Sequence, residues 1–253
     1  MDIIYNILAS LAVIFFGYLM GSIPMGVIYC KTFLGKDPRD EGSHNPGATN
    51  IARLFGKFHG RMVLILDLLK SVSPLWICWA ILTFVPFGTK PLLPMVGELA
   101  NGTASYADYV LKFPVYWLSY IGVVLGHCYP LFARFQGGKG AASILGLCFS
   151  TNWMYTLGPL SFFLFLIKKT KIMSISVIIT YGLVMIEFWV FYILSALKVL
   201  PGIFLWLPGY GPTLEFSLAS AITFTLCYIL VVWRHRANIK RLIEGKENTQ
   251  NLI

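Results

Sequence analysis

The 253 residues are 57% hydrophobic and only 12% charged, with a mean hydropathy of +0.72, whereas an ordinary soluble domain is about 25% charged. That deficit excludes a soluble globular enzyme and requires a polytopic membrane protein. The net charge of +9 does not point to nucleic acid, because the basic residues lie between apolar runs, where cytoplasmic loops of membrane proteins collect lysine and arginine.

Taken in chain order, apolar spans are expected at 3–29, 62–87, 113–132, 141–167, 172–197 and 214–233. The first has an acidic start at Asp2 and no lysine before Lys31. It exceeds the ~20 residues that cross a bilayer and lacks the basic start and short core of a signal peptide, so it is expected to stay as a transmembrane helix. The first connection carries Lys31, Lys36, Arg39, Arg53, Lys57 and Arg61. Arg134 and Lys139 precede the fourth span, Lys168, Lys169 and Lys171 follow it, and Arg234, Arg236, Lys240, Arg241 and Lys246 fill the tail. Segments 88–112 and 198–213 hold only Lys90, Lys112 and Lys198.

All four basic clusters share one face only if 141–167 enters the membrane and returns. Gly158-Pro159 offers a break for that turn. The expected fold is therefore all-α, a single domain over 1–253 with seven helical crossings and the amino terminus outside. A re-entrant hairpin at 141–167 is an equal description, and six crossings is the rival count. The five cysteines form no Cys-x-x-Cys pair and sit in or beside apolar runs, where cysteine behaves as a small hydrophobe. No disulfide, metal site or cofactor is expected.

Three polar stretches flank these spans. In the first, Ser43, Asn45, Gly47, Thr49 and Asn50 precede Arg53. Small residues let backbone N–H groups approach an anion, and a guanidinium offers a fork for phosphate. The plainer reading is an interhelical loop with Thr49 or Asn50 as a helix cap. The second, Gly137-Gly138-Lys139-Gly140, is not a Walker A loop, since Ala133 stands where its first glycine belongs and Gly140 follows the lysine. A glycine loop opening a helix beside an ammonium suits a phosphate, although a membrane-interface turn with a snorkelling lysine reads the same way. In the third, His235 and Asn238 share a helical face within a basic tail that also fits plain headgroup attraction.

Within the spans, Asp67 and Lys70 are three apart and read as a self-neutralising pair. Glu187 is an unassigned intramembrane acid. No carboxylate–histidine pair is evident as a general base. Five residues after His44, His59, His127 and His235 stand Thr49, Leu64, Phe132 and Lys240, so no His-x4-Asp acyltransferase motif is present. A transporter for organic anions or phosphate should hold its polar groups near the bilayer midplane, and these flank the spans instead. A lipid-binding or assembly subunit would explain the basic tail but not the glycine loops.

In this order the stretches resemble the bacterial acyl-phosphate:glycerol-3-phosphate acyltransferases, the PlsY family. The matching residues begin at Gly21-Ser22-Ile23-Pro24-Met25-Gly26 and continue through Gly42–Asn50 with Arg53 and Gly56. Asp67 with Lys70, Gly126-His127, Pro130, Phe132 and Gly137–Gly140 follow, and Arg234-His235, Asn238-Ile239 and Arg241-Leu242 close the set. The resemblance implies an inner-membrane enzyme with seven short helices and its motifs on the cytoplasmic face. Such an enzyme moves a fatty acyl group from acyl phosphate to the 1-hydroxyl of glycerol-3-phosphate, giving lysophosphatidic acid and phosphate. It implies catalytic roles for Ser43, Arg53, Lys139, His235 and Asn238, and substrate contacts from Asn45, Gly47, Thr49, Asn50, Gly137, Gly138 and Gly140. It also admits a soluble enzyme that produces acyl phosphate as a partner, beside membrane lipid. Departures are His44 where glycine is usual, Ser71 in place of the glycine after Lys70, and the long segments 88–112 and 198–213. His44 is the one departure expected near the reaction centre.

Overall fold

The computed structural model describes residues 2–84, 115–151, 153–197, 218–247 and 249; segments 88–112 and 198–213 lie outside them. Among the described residues the regular structure is entirely helical. Helix α1 (Asp2–Gly21) breaks at Ser22-Ile23-Pro24, where the proline disfavours a helical preceding residue, and α2 (Met25–Leu34) continues beyond it. A polar loop leads to α3 (Ala48–Phe55), followed by the long α4 (Lys57–Phe84). A 3-10 turn at Val115–Leu118 opens α5 (Ser119–Cys128). Then come α6 (Ala141–Thr151), α7 (Trp153–Thr170), α8 (Met173–Ala196), α9 (Leu218–Arg234) and α10 (Arg236–Ile243).

Among the described residues, four stretches are long and apolar enough to cross a membrane, Ile7–Leu34, Lys57–Leu82, Val115–Ala133 and Met173–Leu194; α9 with α10, bent by 55°, makes a fifth if counted as one. The surface is apolar where lipid would lie, with Ile7, Leu11, Phe15, Ile186, Val190 and Ile229 all exposed. A helix can expose such residues in hydrocarbon because its backbone is satisfied internally.

The 141–167 region does form two arms, but they do not part at Gly158-Pro159. Helix α6 is described to Thr151 and α7 from Trp153, and Pro159 sits inside α7. Ser150 and Thr151 turn their hydroxyls back onto the carbonyls of Gly146 and Leu147, the local bonding with which short polar side chains compete against helix continuation. A membrane helix tolerates an internal proline because its neighbours satisfy the freed carbonyl. The two arms leave and return to the same face: Lys139, just before α6, and Ser174, at the start of α8, are joined through Asn238 and Glu247.

Helices α1 and α5 meet along a glycine seam. A Cβ on Gly17 or Gly21 would lie 1.9 or 2.2 Å from the carbonyl oxygens of Ser119 and Val123. One on Gly122 or Gly126 would lie 2.0 or 2.3 Å from those of Ile14 and Tyr18. Glycines four apart on both helices let the backbones touch, the small-residue packing common between membrane helices. The main core, with Trp117, Tyr120, Leu147, Phe188 and Phe224, grows around this pair, and a smaller cluster of Tyr29, Cys30, Ile51 and Val63 seats α3 on α2 and α4. The intramembrane Glu187 of α8 accepts a hydrogen bond from Tyr155 of α7, so it has a partner on the neighbouring helix. All five cysteines are buried and unpaired, and no cluster of metal-ligating side chains occurs among the described residues.

Candidate active site

The first polar loop is shaped by its own asparagines. Asn50, buried at the start of α3, accepts the Ser43 N–H at 2.9 Å and donates to the Pro38 and Glu41 carbonyls at 2.9 and 3.2 Å. Asn45 accepts the Gly47 N–H at 2.8 Å. A Cβ on Gly26 would lie 2.0 Å from the Pro46 carbonyl, so α2 holds the loop from beneath. Arg39 pairs with Asp37 at 2.6 Å and donates to the Ala133 carbonyl at 3.3 Å, tying this loop to the second one. His44 adopts φ 54, a left-handed conformation that glycine takes without the Cβ cost. This is the physical reason for a glycine at that position. Its ring bonds the Arg39 carbonyl at 2.9 Å and is turned away from the cavity described below, which its neighbours Ser43 and Asn45 line. Replacing His44 with glycine is accordingly expected to leave turnover within about twofold and to raise stability by no more than about 1 kcal/mol; activity assays and thermal unfolding check both.

One cavity of about 600 Å³ gathers Ser43, Asn45, Gly47, Thr49, Asn50 and Arg53 with Lys139, His235 and Asn238. Its polar end is a connected set. Lys139 Nζ donates to Asn238 Oδ1 at 2.7 Å, and Asn238 Nδ2 donates to Glu247 Oε1 at 2.5 Å. Arg241 Nε and Ser174 Oγ reach the same carboxylate at 2.8 and 3.0 Å. Burial pushes the Lys139 ammonium down to about 8, with Arg241, Arg234 and Arg53 pressing the same way against the pull of Glu247. Burial would raise the Glu247 carboxyl, but hydrogen bonds from Asn238, Arg241 and Ser174 outweigh it and hold it below its ordinary value. His235 sits at the bend between α9 and α10, and its Nδ1 lies 2.8 Å from the Val231 carbonyl. A carbonyl only accepts, so Nδ1 carries the proton and the lone pair of the neutral ring is on Nε2. The other end of the cavity is apolar, walled by Leu145, Cys148, Leu160, Phe163, Val177 and Tyr181 of α6, α7 and α8.

Three expected contacts are absent from this wall: Gly137, Gly138 and Gly140. Their loop is gripped from the protein side instead. Arg234 donates to the carbonyls of Gly137 and Gly138, and Gly138 N–H donates to the His127 carbonyl at 3.0 Å. Gly140 has φ +83 and turns the chain into α6. The glycines therefore shape the loop that presents Lys139. Asn50 lines the cavity, but both ends of its amide are committed to the loop. Asp67 pairs with Lys70 at 2.9 Å as expected, and His127 Nδ1 stands 3.7 Å from the same carboxylate, beyond hydrogen-bond distance, a neighbour that sequence reasoning missed. Glu247, Arg241 and Ser174 were missed as well. Glu247 follows Glu244 in a basic tail, a pattern that carries no signal until the tail folds back on α8.

A model of the glycerol-3-phosphate acyltransferase family matches residues 11–245. The glycerol-3-phosphate acyltransferase of Mycoplasmopsis agalactiae is 32% identical over 98% of this chain and 96% of its own, and that of Colwellia psychrerythraea is 32% identical over 96% of both. Two crystal structures of PlsY (YgiH), an integral membrane glycerol 3-phosphate acyltransferase, cover 96% of both chains. The glycerol 3-phosphate form aligns with TM-score 0.64 at 28% identity, and the lysophosphatidic acid form with TM-score 0.67 at 26%. With the family matched along nearly the whole chain and the all-helical membrane fold shared, this protein belongs to the glycerol-3-phosphate acyltransferase family typified by PlsY.

Proposed function

We propose that the protein transfers a fatty acyl group from acyl phosphate to the 1-hydroxyl of glycerol-3-phosphate, giving lysophosphatidic acid and inorganic phosphate. The observation that carries this reading is one cavity with a cationic end at Arg53, Lys139 and Arg241 and an apolar end between α6, α7 and α8. Such a cavity suits two phosphates and one acyl chain. The protein sits in the bacterial cytoplasmic membrane with this face toward the cytosol and the amino terminus outside, in keeping with the basic residues around it. A soluble enzyme making acyl phosphate would deliver its product to the same face.

The glycerol oxygen attacks the acyl carbonyl carbon, the bond from that carbon to the phosphate oxygen breaks, and phosphate leaves with the electron pair. Acyl phosphate is already activated, so the protein contributes proximity and charge stabilisation. Arg53 and Lys139 take phosphate charge. The Ser43 hydroxyl, on a loop whose Ser43 and Gly47 N–H groups are held by Asn50 and Asn45, orients the donor. Asn238 holds Lys139 in place. The hydroxyl proton goes to His235 Nε2, which the Val231 bond leaves as the basic nitrogen; a substrate phosphate oxygen is the alternative acceptor. His235→Ala is expected to lower kcat by about a hundredfold and to remove the acidic limb of the pH–rate profile. Retained turnover with an unchanged profile would hand the proton to the phosphate.

The donor is tested with purified protein, labelled glycerol-3-phosphate and either acyl phosphate or acyl-CoA. Product from acyl phosphate is expected. Product from acyl-CoA alone overturns the donor assignment, and no product from either leaves anion transport as the better reading.

A further inference from the structure

Three matched motifs have no task in the reaction above: the Gly21–Gly26 corner, the Asp67–Lys70 pair and Gly126-His127. The structure ties them into one buried knot beneath both polar loops. Asp67 and Lys70, 3% and 5% exposed, pair at 2.9 Å. Lys70 Nζ also donates to the Ile23 carbonyl at 2.8 Å, holding the break between α1 and α2. On the other side of Asp67 stands His127, 8% exposed, with Nδ1 3.7 Å from Asp67 Oδ1.

The opposite edge of that imidazole supports the glycine loop. A Cβ on Gly138 would lie 2.1 Å from His127 Nε2, and one on Gly137 would lie 2.2 Å from the His127 carbonyl oxygen. That same oxygen accepts the Gly138 N–H at 3.0 Å. Arg234 grips the loop carbonyls with its guanidinium, which also stacks 4.8 Å over the Tyr129 ring. Pro46 and Gly47 of the first loop border the small space between Asp67, Lys70, His127 and Gly138. A pair that only neutralised itself on α4 would need neither the histidine nor two loops around it. Ionised groups are costly inside a membrane protein and are kept where they pair and serve the site.

We propose that His127 is a positioning residue for the glycerol-3-phosphate end of the reaction. Its imidazole, buried between Asp67 on one edge and Gly138 on the other, forms the platform on which Gly137-Gly138 pack. Lys139 is thereby presented to Asn238 and to the substrate phosphate. This rests on glycerol-3-phosphate being the acyl acceptor. It also gives the Gly21–Gly26 corner a role, because Lys70 bonds that corner and Asp67 together.

The test uses full-length enzyme in membranes and compares wild type, His127→Ala, His127→Gln, Gly138→Ala and the His127→Ala/Gly138→Ala double variant. His127→Ala should raise KM for glycerol-3-phosphate about tenfold, with kcat within about threefold and donor KM unchanged, the effect of a displaced binding group. His127→Gln, which keeps a planar polar side chain, should recover part of that loss. Gly138→Ala should cost less in the His127→Ala background than in wild type, since the imidazole that its methyl would strike is gone. A fall in kcat at unchanged KM would make His127 a reacting group and overturn the proposal. So would an equal rise in both KM values, or an additive double variant. If His127→Ala does not fold, His127→Gln with wild-type KM for glycerol-3-phosphate overturns it as well. Wild type that fails to acylate glycerol-3-phosphate refutes the proposed reaction itself, a result separate from an active wild type whose KM ignores His127.

Discussion

Lys139→Met is expected to lower kcat/KM for glycerol-3-phosphate by on the order of a hundredfold, the cost of removing one preorganised donor from developing or bound negative charge. The size follows from its setting. Lys139 is desolvated, its ammonium bonds Asn238 at 2.7 Å, and Asn238 is anchored by Glu247. Methionine fills the volume but leaves Asn238 Oδ1 without its donor, and an unsatisfied buried acceptor adds its own penalty. The same burial makes the lysine titratable near neutral pH. With its pKa pushed down to about 8, the free enzyme carries the ammonium below that pH and a neutral amine above it. Phosphate binding favours the charged form, so the sign is fixed: kcat/KM for glycerol-3-phosphate should fall as pH rises through about 8, and the limb should move upward in kcat, where bound phosphate holds the proton on. Lys139→Arg stays protonated throughout and should lose the limb while paying for its different geometry. A wild-type profile flat to pH 10, or the same alkaline limb in Lys139→Arg, would remove Lys139 as its source.

Residue type alone left each polar stretch open to a plainer reading as a capped loop or interface turn; their order along the chain, and the family it resembles, singled out the site residues. Ser43, Asn45, Thr49, Arg53, Lys139, His235 and Asn238 do share one cavity. What could not be read was the direction in which the glycines face. Gly137-Gly138-Lys139-Gly140 looks like a cradle of N–H groups, yet Arg234, 96 residues on, and the nearby His127 take its backbone from behind. Glu247 escaped for the same reason: Ser174, one of its partners, is 73 residues away. The return at 141–167 was expected from charge placement, on the premise that the four basic clusters share one face. The position of its turn was not. Proline and glycine are strong breakers in water, but between packed membrane helices Pro159 stayed helical.

The same limit hid the glycine seam, and it supports the second large prediction. Gly126→Val is expected to destabilise the protein by roughly 3 kcal/mol or more, beyond the usual cost of overpacking, because the obstacle is backbone on both sides. Its Cβ would lie 2.3 Å from the Tyr18 carbonyl and 2.7 Å from the Ser22 nitrogen, and neither can rotate away. Gly158→Ala in α7 is the control. Nothing lies within 4 Å of its added methyl, so the change should be neutral or stabilising by up to about 1 kcal/mol. Thermal unfolding of both variants in detergent gives the comparison, and equal midpoints would show that α1 and α5 can separate without penalty. The seam also bears on activity. Tyr18 of α1 donates to the Tyr129 carbonyl at 3.0 Å, and Gly126 immediately precedes His127. A wedge between the helices therefore shifts the residues under the Lys139 loop, and a Gly126→Val protein that still folds should show a raised KM for glycerol-3-phosphate before it shows a lowered kcat.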